Sequence, residues 1–351
     1  MKISVIIPVY QVAPYIERCL RSVAVQTAGL APGDRIECIV VDDCGTDDSM
    51  RRVEALTGEL EQAGVEFHIV SHIRNRGLAA ARNTGTAAAT GEWMFYLDGD
   101  DELEPGALAV LAAAAVAADG PDWVQGNYRR VEASGTVREE TRYFDPARPV
   151  YADREAVTAG FGRLNFSNAT AKLIRSDFIR AYDLTFCEGV TYEDVLWCME
   201  AYPHVKRVAT VESATYRHHL RAGSIMRSGM TEAKLDSVLR VEQRLAELPQ
   251  DVNVGRIAGQ LAVFGMKHLY LSRFSRGFRR RWMAALWAAG VPRRMRRSAD
   301  AVREMLQPLS RLVFGACWLP RWLARGYLRI LLTLYAGFLR FREWRTTLHQ
   351  A

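Results

Sequence analysis

Three carboxylates fall within four positions at Leu97-Asp98-Gly99-Asp100-Asp101, directly after an apolar run. Anions this close repel one another, and the cluster is relieved when a divalent cation sits among them. A hard cation held by one or two carboxylates keeps positions open for diphosphate oxygens. An acidic turn ahead of the helix after Pro105 has the same appearance, so the motif alone leaves both readings open. A second acidic pair, Glu193-Asp194, lies in GVTYEDVLW at a helix start, where acids also offset the helix dipole. A third constellation is Arg217-His218-His219-Leu220-Arg221-Ala222-Gly223-Ser224. There His218 could complete a metal shell and Arg221 could meet a diphosphate bidentately. The alternative is a solvated loop with one structural histidine.

The elements that must position these groups are legible. Ile3 to Ile7, Ile36 to Val41, Val65 to Val70 and Trp93 to Leu97 read as strands, the second of buried type. Between them, helical spacing covers Ala13 to Gln26, Asp47 or Asp48 to about Gln62, and Gly77 to Ala89. Continuous apolar strands joined by helices predict a parallel sheet covered on both faces. Ligands of such sheets bind beyond the carboxyl ends of the strands, which here carry Tyr10, Asp42, Asp43, Asp98 and Asp100. A helix to about Ala118 follows Pro105, then a strand near Trp123 to Gln125 and a hairpin of Tyr128 to Val131 with Thr136 to Glu139. Residues 168–229 read as short strands around a helix from Glu193, and the chain from Thr231 reads as mostly helical.

Val5-Ile6-Ile7-Pro8-Val9-Tyr10, Val40-Val41-Asp42-Asp43, NRGLAAARN from Asn75 to Asn83, Gly91-Glu92-Trp93 and Leu97-Asp98-Gly99-Asp100-Asp101 occur in this order. As a set they resemble the family 2 glycosyltransferases of GT-A fold over about residues 1–229. The resemblance implies an α/β fold: a Rossmann-like mixed sheet flanked by helices, followed here by a mostly helical extension. It implies a nucleotide-sugar donor, a divalent metal (Mn²⁺ or Mg²⁺) on a DxD motif, and inversion at the anomeric carbon. Asp98 and Asp100, with Gly99 between them, match the DxD, and Asp101 extends it. Pro8, Val9 and Tyr10 match the segment against the base, and Asp43 or Asp42 matches the acid on the base or ribose. Arg82 and Asn83 lie in the helix near the nucleotide. Asp194 matches the general base that takes the acceptor hydroxyl's proton, with Glu193 orienting the acceptor. His218 is a further candidate metal ligand, and Lys172 matches a frequent lysine of the family that reads equally well as a strand-edge residue. Gln11 stands where Asn is usual, and Cys44-Gly45 replaces Gly-Ser.

The resulting domain reading is a catalytic domain over 1–229, divided into a nucleotide-sugar half (1–105) and an acceptor half (106–229), and an Arg-rich helical region over 230–351. The net charge of +6 conceals an asymmetry: from residue 230 onward there are 22 Lys+Arg against 8 Asp+Glu. Arginines interleaved with Trp, Phe, Leu and Tyr in Arg276 to Trp282, Arg293 to Arg297 and Leu309 to Trp344 suit an anionic membrane surface, or the outer face of a packed bundle. A nucleic-acid surface is the least favoured reading, and none is expected as a partner. The six cysteines lack CxxC spacing, which argues against a zinc site and fits a reducing compartment. The expected location is cytoplasmic, with peripheral contact at the inner face of the membrane. The apolar run Ile330 to Leu339 is too short to span a bilayer.

The expected function is transfer of a sugar, from a UDP-sugar by preference, to a saccharide or lipid-linked saccharide in cell-surface glycan synthesis. The rival readings are a non-catalytic nucleotide- or sugar-binding module on the same fold, and a Rossmann dehydrogenase. The latter lacks GxGxxG after its first strand, where Val9-Tyr10-Gln11 stands instead.

Overall fold

The computed structural model describes residues 1–132, 134–141, 143–220, 229–272 and 274–293, with the short stretches 312–313, 315, 319, 323–324 and 326–332. The chain divides into two compact units, Met1–Gly189 with Glu193–Ser228, and Val190–Tyr192 with Gly229–Ala351.

The first unit is built on strand β1 (Lys2–Val9), whose apolar run is buried from Ile3 onward because both faces are covered. It pairs in parallel with β2 (Arg35–Asp42) and β4 (Trp93–Tyr96), and β3 (Val65–Ser71) extends the sheet beyond β2. Helices α1 (Ile16–Ala24) and α2 (Ser49–Gln62) pack Leu20 and Val53 into one core with Ile3, Val5 and Ile7. The opposite face takes α3 (Leu78–Ala88). Gly85 permits its approach, since a Cβ there would lie 2.3 Å from Ile6 Cγ2.

After β5 (Glu102–Leu103) and α4 (Ala107–Ala117) come β6 (Trp123–Glu132), β7 (Val137–Thr141), β8 (Val150–Tyr151), α5 (Arg154–Ala159), β9 (Lys172–Arg175), α6 (Ser176–Ala181), α7 (Glu193–Ala201) and β10 (Val208–Leu220). The sheet runs β3-β2-β1-β4-β9-β6-β10-β5, with β7 on β6 and β8 on β10. Antiparallel β9 bridges the parallel half to β6, which makes the sheet mixed.

The expected parallel half is present strand for strand. Two details differ. The strand at Trp123 continues to Glu132, so it and the first hairpin arm are one element. The segment read as short strands contains thirteen-residue β10, whose register shifts between Thr210, Ala214 and Tyr216. Exposed Glu212 and Ser213 at that irregularity break the apolar pattern that signals a long strand.

The second unit contains α8 (Glu232–Leu245), α9 (Val252–Leu271) and α10 (Arg276–Ala288). Phe278 and Trp282 of α10 are 2% and 1% exposed, and the Trp282 indole donates to the Leu235 carbonyl at 2.8 Å. The aromatics of the Arg276 to Trp282 segment therefore face their own bundle, while Arg276, Arg280 and Arg281 face solvent. Much of the remaining Arg-rich sequence, including Arg294 to Arg297 and Trp318, lies outside the described residues. Among the described residues, no helix is long and apolar enough to cross a membrane.

Candidate active site

The carboxyl end of β1 forms the floor. Val9 is buried and Tyr10 is 44% exposed, so the ring is available to a ligand. The two acids at the end of β2 have different surroundings. Among the described residues, Asp42 accepts from the Cys44 and Gly45 amides through Oδ1 (3.0 and 3.4 Å), and no partner is seen on its other oxygen. Asp43 is 2% exposed and has both oxygens engaged. His72 Nδ1 and the Arg76 amide meet Oδ1 at 2.7 and 2.8 Å, and Asn75 Nδ2 and the Gly77 amide donate to Oδ2 at 2.9 and 2.8 Å. Asp43 thus fastens the loop that launches α3, whereas Asp42 binds only the amides of its own loop among the described residues.

Helix α3 carries Arg82 into the centre of the unit, where it is 1% exposed. Its Nη2 donates to Asp98 Oδ1 at 2.8 Å, and its Nη1 donates to Glu193 Oε1 at 3.0 Å and to Asp194 Oδ1. The acidic loop after β4 and the acidic pair opening α7 therefore converge on one guanidinium. Asn83 is a clip: its side chain exchanges hydrogen bonds with the backbone of Phe186 at 2.8 and 2.7 Å.

The loop Asp98–Asp101 is shaped from several sides. Gly99 fits because a Cβ would stand 3.0 Å from the Pro8 carbonyl oxygen and 3.2 Å from Val12. Arg18 Nη2 donates to the Asp100 carbonyl at 2.7 Å. The Tyr216 hydroxyl accepts from the Asp98 amide (3.2 Å) and donates to Asp101 Oδ2 (2.9 Å). Asp101 is 1% exposed and also meets the His219 amide (2.8 Å) and His218 Nδ1 (3.1 Å). Asp101 ties β10 to the loop, whereas Asp98 keeps 30% of its side chain in reach of solvent. Arg221, Gly223 and Ser224 lie outside the described residues.

Charge and burial set the protonation states. Burial pushes Asp194 up to about 7, against the pull of Arg82 and with the push of Glu193. The same burial would lower Arg82, but Asp194, Asp98 and Glu193 hold it well above its ordinary value, so it stays charged. The hydrogen bond to the Asp101 carboxylate raises His218. A carboxylate on Nδ1 fixes the imidazole.

Among the described residues, one set of three side chains converges closely enough to wrap a cation by itself: Glu37, Glu66 and His68. Lys2 Nζ already stands there, 3.1 Å from Glu37 and 2.5 Å from Glu66. Among the described residues, Asp98, Asp100, Asp101 and His218 do not converge into such a set.

The model of the family described as Glycosyl transferase family 2 matches residues 4–182. The chain belongs to this family and is a glycosyltransferase. Among curated relatives, it is 29% identical over 236 residues to the Cholesterol galactosyltransferase of Borreliella burgdorferi, covering 65% of this chain and 62% of that protein. It is 27% identical over 275 residues to the Putative glycosyltransferase EpsH of Bacillus subtilis, covering 76% and 74%. Among solved structures, residues 1–349 of Staphylococcus aureus TarS in complex with UDP-GlcNAc superpose with a TM-score of 0.68 at 19% identity, covering 96% of this chain and 92% of that one. That likeness establishes the GT-A fold.

Three residues of the site were not singled out from sequence. Arg18 and Tyr216 brace the acidic loop, and His72 links Asp43 to Thr84 Oγ1 at 2.8 Å. Each acts across the sheet or between elements, so no local spacing marks it.

Proposed function

We propose that the chain transfers one sugar, with inversion, from a nucleoside diphosphate sugar to a saccharide or lipid-linked saccharide hydroxyl in surface-glycan synthesis. UDP-sugars are the favoured donors. The observation that supports the reading is the shared Arg82, whose guanidinium meets both Asp98 and Asp194; in this reading Asp98 lies on the donor side and Asp194 on the acceptor side. A single displacement needs a leaving-group site and a proton acceptor on either side of one carbon.

In this scheme Pro8, Val9, Tyr10 and Asp42 receive the nucleoside. Asp98 and Asp100 hold a Mn²⁺ or Mg²⁺, with His218 Nε2 as a further ligand. When bound, the cation neutralises charge developing on the leaving diphosphate. Asp194 Oδ2 takes the acceptor hydroxyl's proton while Oδ1 stays on Arg82. Glu193 shares the guanidinium and fixes the start of α7. The relatives' names support transfer to a hydroxyl acceptor: one is named for cholesterol galactosylation, and TarS is named a poly(ribitol-phosphate) β-N-acetylglucosaminyltransferase. The Arg-rich region would hold the enzyme at the cytoplasmic membrane face.

The test is a donor screen: nucleoside diphosphate release from UDP-, GDP- and dTDP-sugars with Mn²⁺ or Mg²⁺. Release from one donor that disappears in Asp194→Asn supports the reading. Tight donor binding without release under any acceptor mixture would favour a non-catalytic binding module.

A further inference from the structure

The Arg82 guanidinium is pulled from two sides. Nη1 donates to Glu193 and Asp194 at the start of α7, and Nη2 donates to Asp98 after β4. Its Nε has no hydrogen-bond partner among the described residues. Hydrogen bonds fix where the fork points, whereas the flat faces of a guanidinium are held by what stacks on them. A long side chain shared between separate elements keeps one geometry only if packing removes its other rotamers.

That packing comes from Phe186, in the loop between α6 and α7. The guanidinium carbon lies over its ring, 5.2 Å from the centre. Phe186 is 2% exposed, so water does not compete for the contact. The ring is itself clamped. It stacks on Trp197 at 5.2 Å with 12° between the planes, and it meets Tyr96 edge-on at 5.1 Å. Its backbone is fixed by Asn83, the residue after Arg82 on α3, whose Oδ1 accepts from the Phe186 amide at 2.7 Å and whose Nδ2 donates to the Phe186 carbonyl at 2.8 Å. Trp197 follows Asp194 by three residues on α7, so the helix that presents the acid also backs the ring.

We propose that Phe186 is a positioning residue for the transfer reaction: its aromatic face holds the Arg82 guanidinium in the orientation that engages Asp98 and Asp194 together. The inference rests on the roles given to those two acids above. An aromatic face attracts a cation through its quadrupole, most strongly where water is excluded. Tyr96 serves the site differently, since its hydroxyl is engaged with Thr86 Oγ1 at 2.8 Å. The Asp98 loop has further anchors in Arg18 and Tyr216, so a loosened guanidinium acts mainly on α7.

The test replaces Phe186 in the full chain by mono-, di- and trifluorinated phenylalanine, which keep the ring's shape while withdrawing charge from its face, and by leucine. With each added fluorine kcat should fall, to about a tenth of wild type in the trifluorinated protein, the size expected for a desolvated cation–π contact. KM for the donor should stay near wild type. Phe186→Leu should match the trifluorinated protein. A kcat indifferent to fluorination, whatever Phe186→Leu does, would mean that the ring only fills space, and would overturn the proposal. If Phe186→Leu fails to fold, the isosteric series decides alone. A second readout needs no turnover: the Arg82 Nε–H signal, assigned by its loss in Arg82→Lys, should exchange with solvent about tenfold faster in the trifluorinated protein as the guanidinium loosens. An unchanged exchange rate rejects the clamp. If no donor supports turnover in wild type, the functional reading fails, and the exchange rate still shows whether the ring holds the cation.

Discussion

Asp98 and Asp194 are held by the two arms of a single buried guanidinium, that of Arg82. The first belongs to the acidic loop after β4 and the second to the start of α7. The unit's stability and the proposed catalytic geometry therefore pass through one side chain.

Replacing Arg82 by Met should leave three carboxylates crowded around an apolar chain. Breaking a buried ion pair by removing one partner costs about 3–5 kcal/mol. Urea unfolding of Arg82→Met should show a loss of that order. A loss below about 1 kcal/mol would mean that solvent reaches the carboxylates freely.

The elevated Asp194 gives a pH signature. A base must be ionised to work, so kcat should rise with pH through a midpoint near the value of about 7 set by burial. The stability effect has the opposite slope. Because the folded state holds this proton above the ordinary aspartate range, the stabilising contribution is full below about pH 4 and is lost as pH rises to about 7. Asp194→Asn should lower kcat by about a hundredfold or more, remove that limb and leave donor affinity nearly unchanged. Near-normal turnover would transfer the role to Glu193.

Asp100→Asn tests the donor side. It should weaken nucleotide binding in the presence of Mn²⁺ and leave the melting temperature near wild type. Calorimetry that finds the same affinity with and without Mn²⁺ in both proteins would remove the metal from the scheme.

Glu37 provides a stability prediction far from the chemistry. Burial alone would raise it, but hydrogen bonds from Ser4 (2.5 Å), Thr90 (2.6 and 2.9 Å) and Lys2 hold it at about 2. Its contribution, on the order of 3 kcal/mol from that shift, is present above about pH 4.5 and is lost as pH falls toward 2. Glu37→Gln should be less stable than wild type at pH 7, and the two unfolding curves should approach one another near pH 3. A constant gap across that range would contradict the assignment.

The Arg-rich region predicts co-sedimentation of the full chain with anionic vesicles at low salt, weakening as salt rises, at about 1 kcal/mol per basic residue near the surface. The inward packing of Phe278 and Trp282 assigns this contact to arginines and to exposed Leu312, Leu323 and Ile330 instead of the α10 aromatics. A protein that stays in the supernatant at low salt would leave the region as a packing or partner-binding module.

The parallel half was legible because its strands are rich in β-branched and aromatic residues, and those at Ile36–Val41 and Trp93–Leu97 run directly into acids. Ile3–Ile7 and Ile36–Val41 needed no tertiary knowledge. The acceptor half was less so, since β10 mixes buried Tyr216 with exposed Glu212 and Ser213, and its pairing with β6 is entirely long-range. The same limit applied within the site. Sequence order brought Asp42 and Asp43 forward as equals, and only the loop from His72 to Gly77 separates them. It also grouped Asp98, Asp100 and Asp101, whereas the bonds of Asp101 to Tyr216 and His219 cross from a distant strand.

Cys44 adopts φ 59° beside Asp42, to whose carboxylate its amide donates at 3.0 Å, and Gln11 across the loop adopts φ 51°. Side chains at such angles cost about 1 kcal/mol that glycine avoids. Among the described cysteines, Cys19, Cys38 and Cys198 are buried and Cys187 is half-buried, while Cys44 is exposed. The loop beside Asp42 therefore carries a native covalent handle. A thiol-reactive fluorophore should attach at Cys44 ahead of the others, and a bound nucleoside should slow the labelling, turning the unmodified enzyme into its own occupancy reporter.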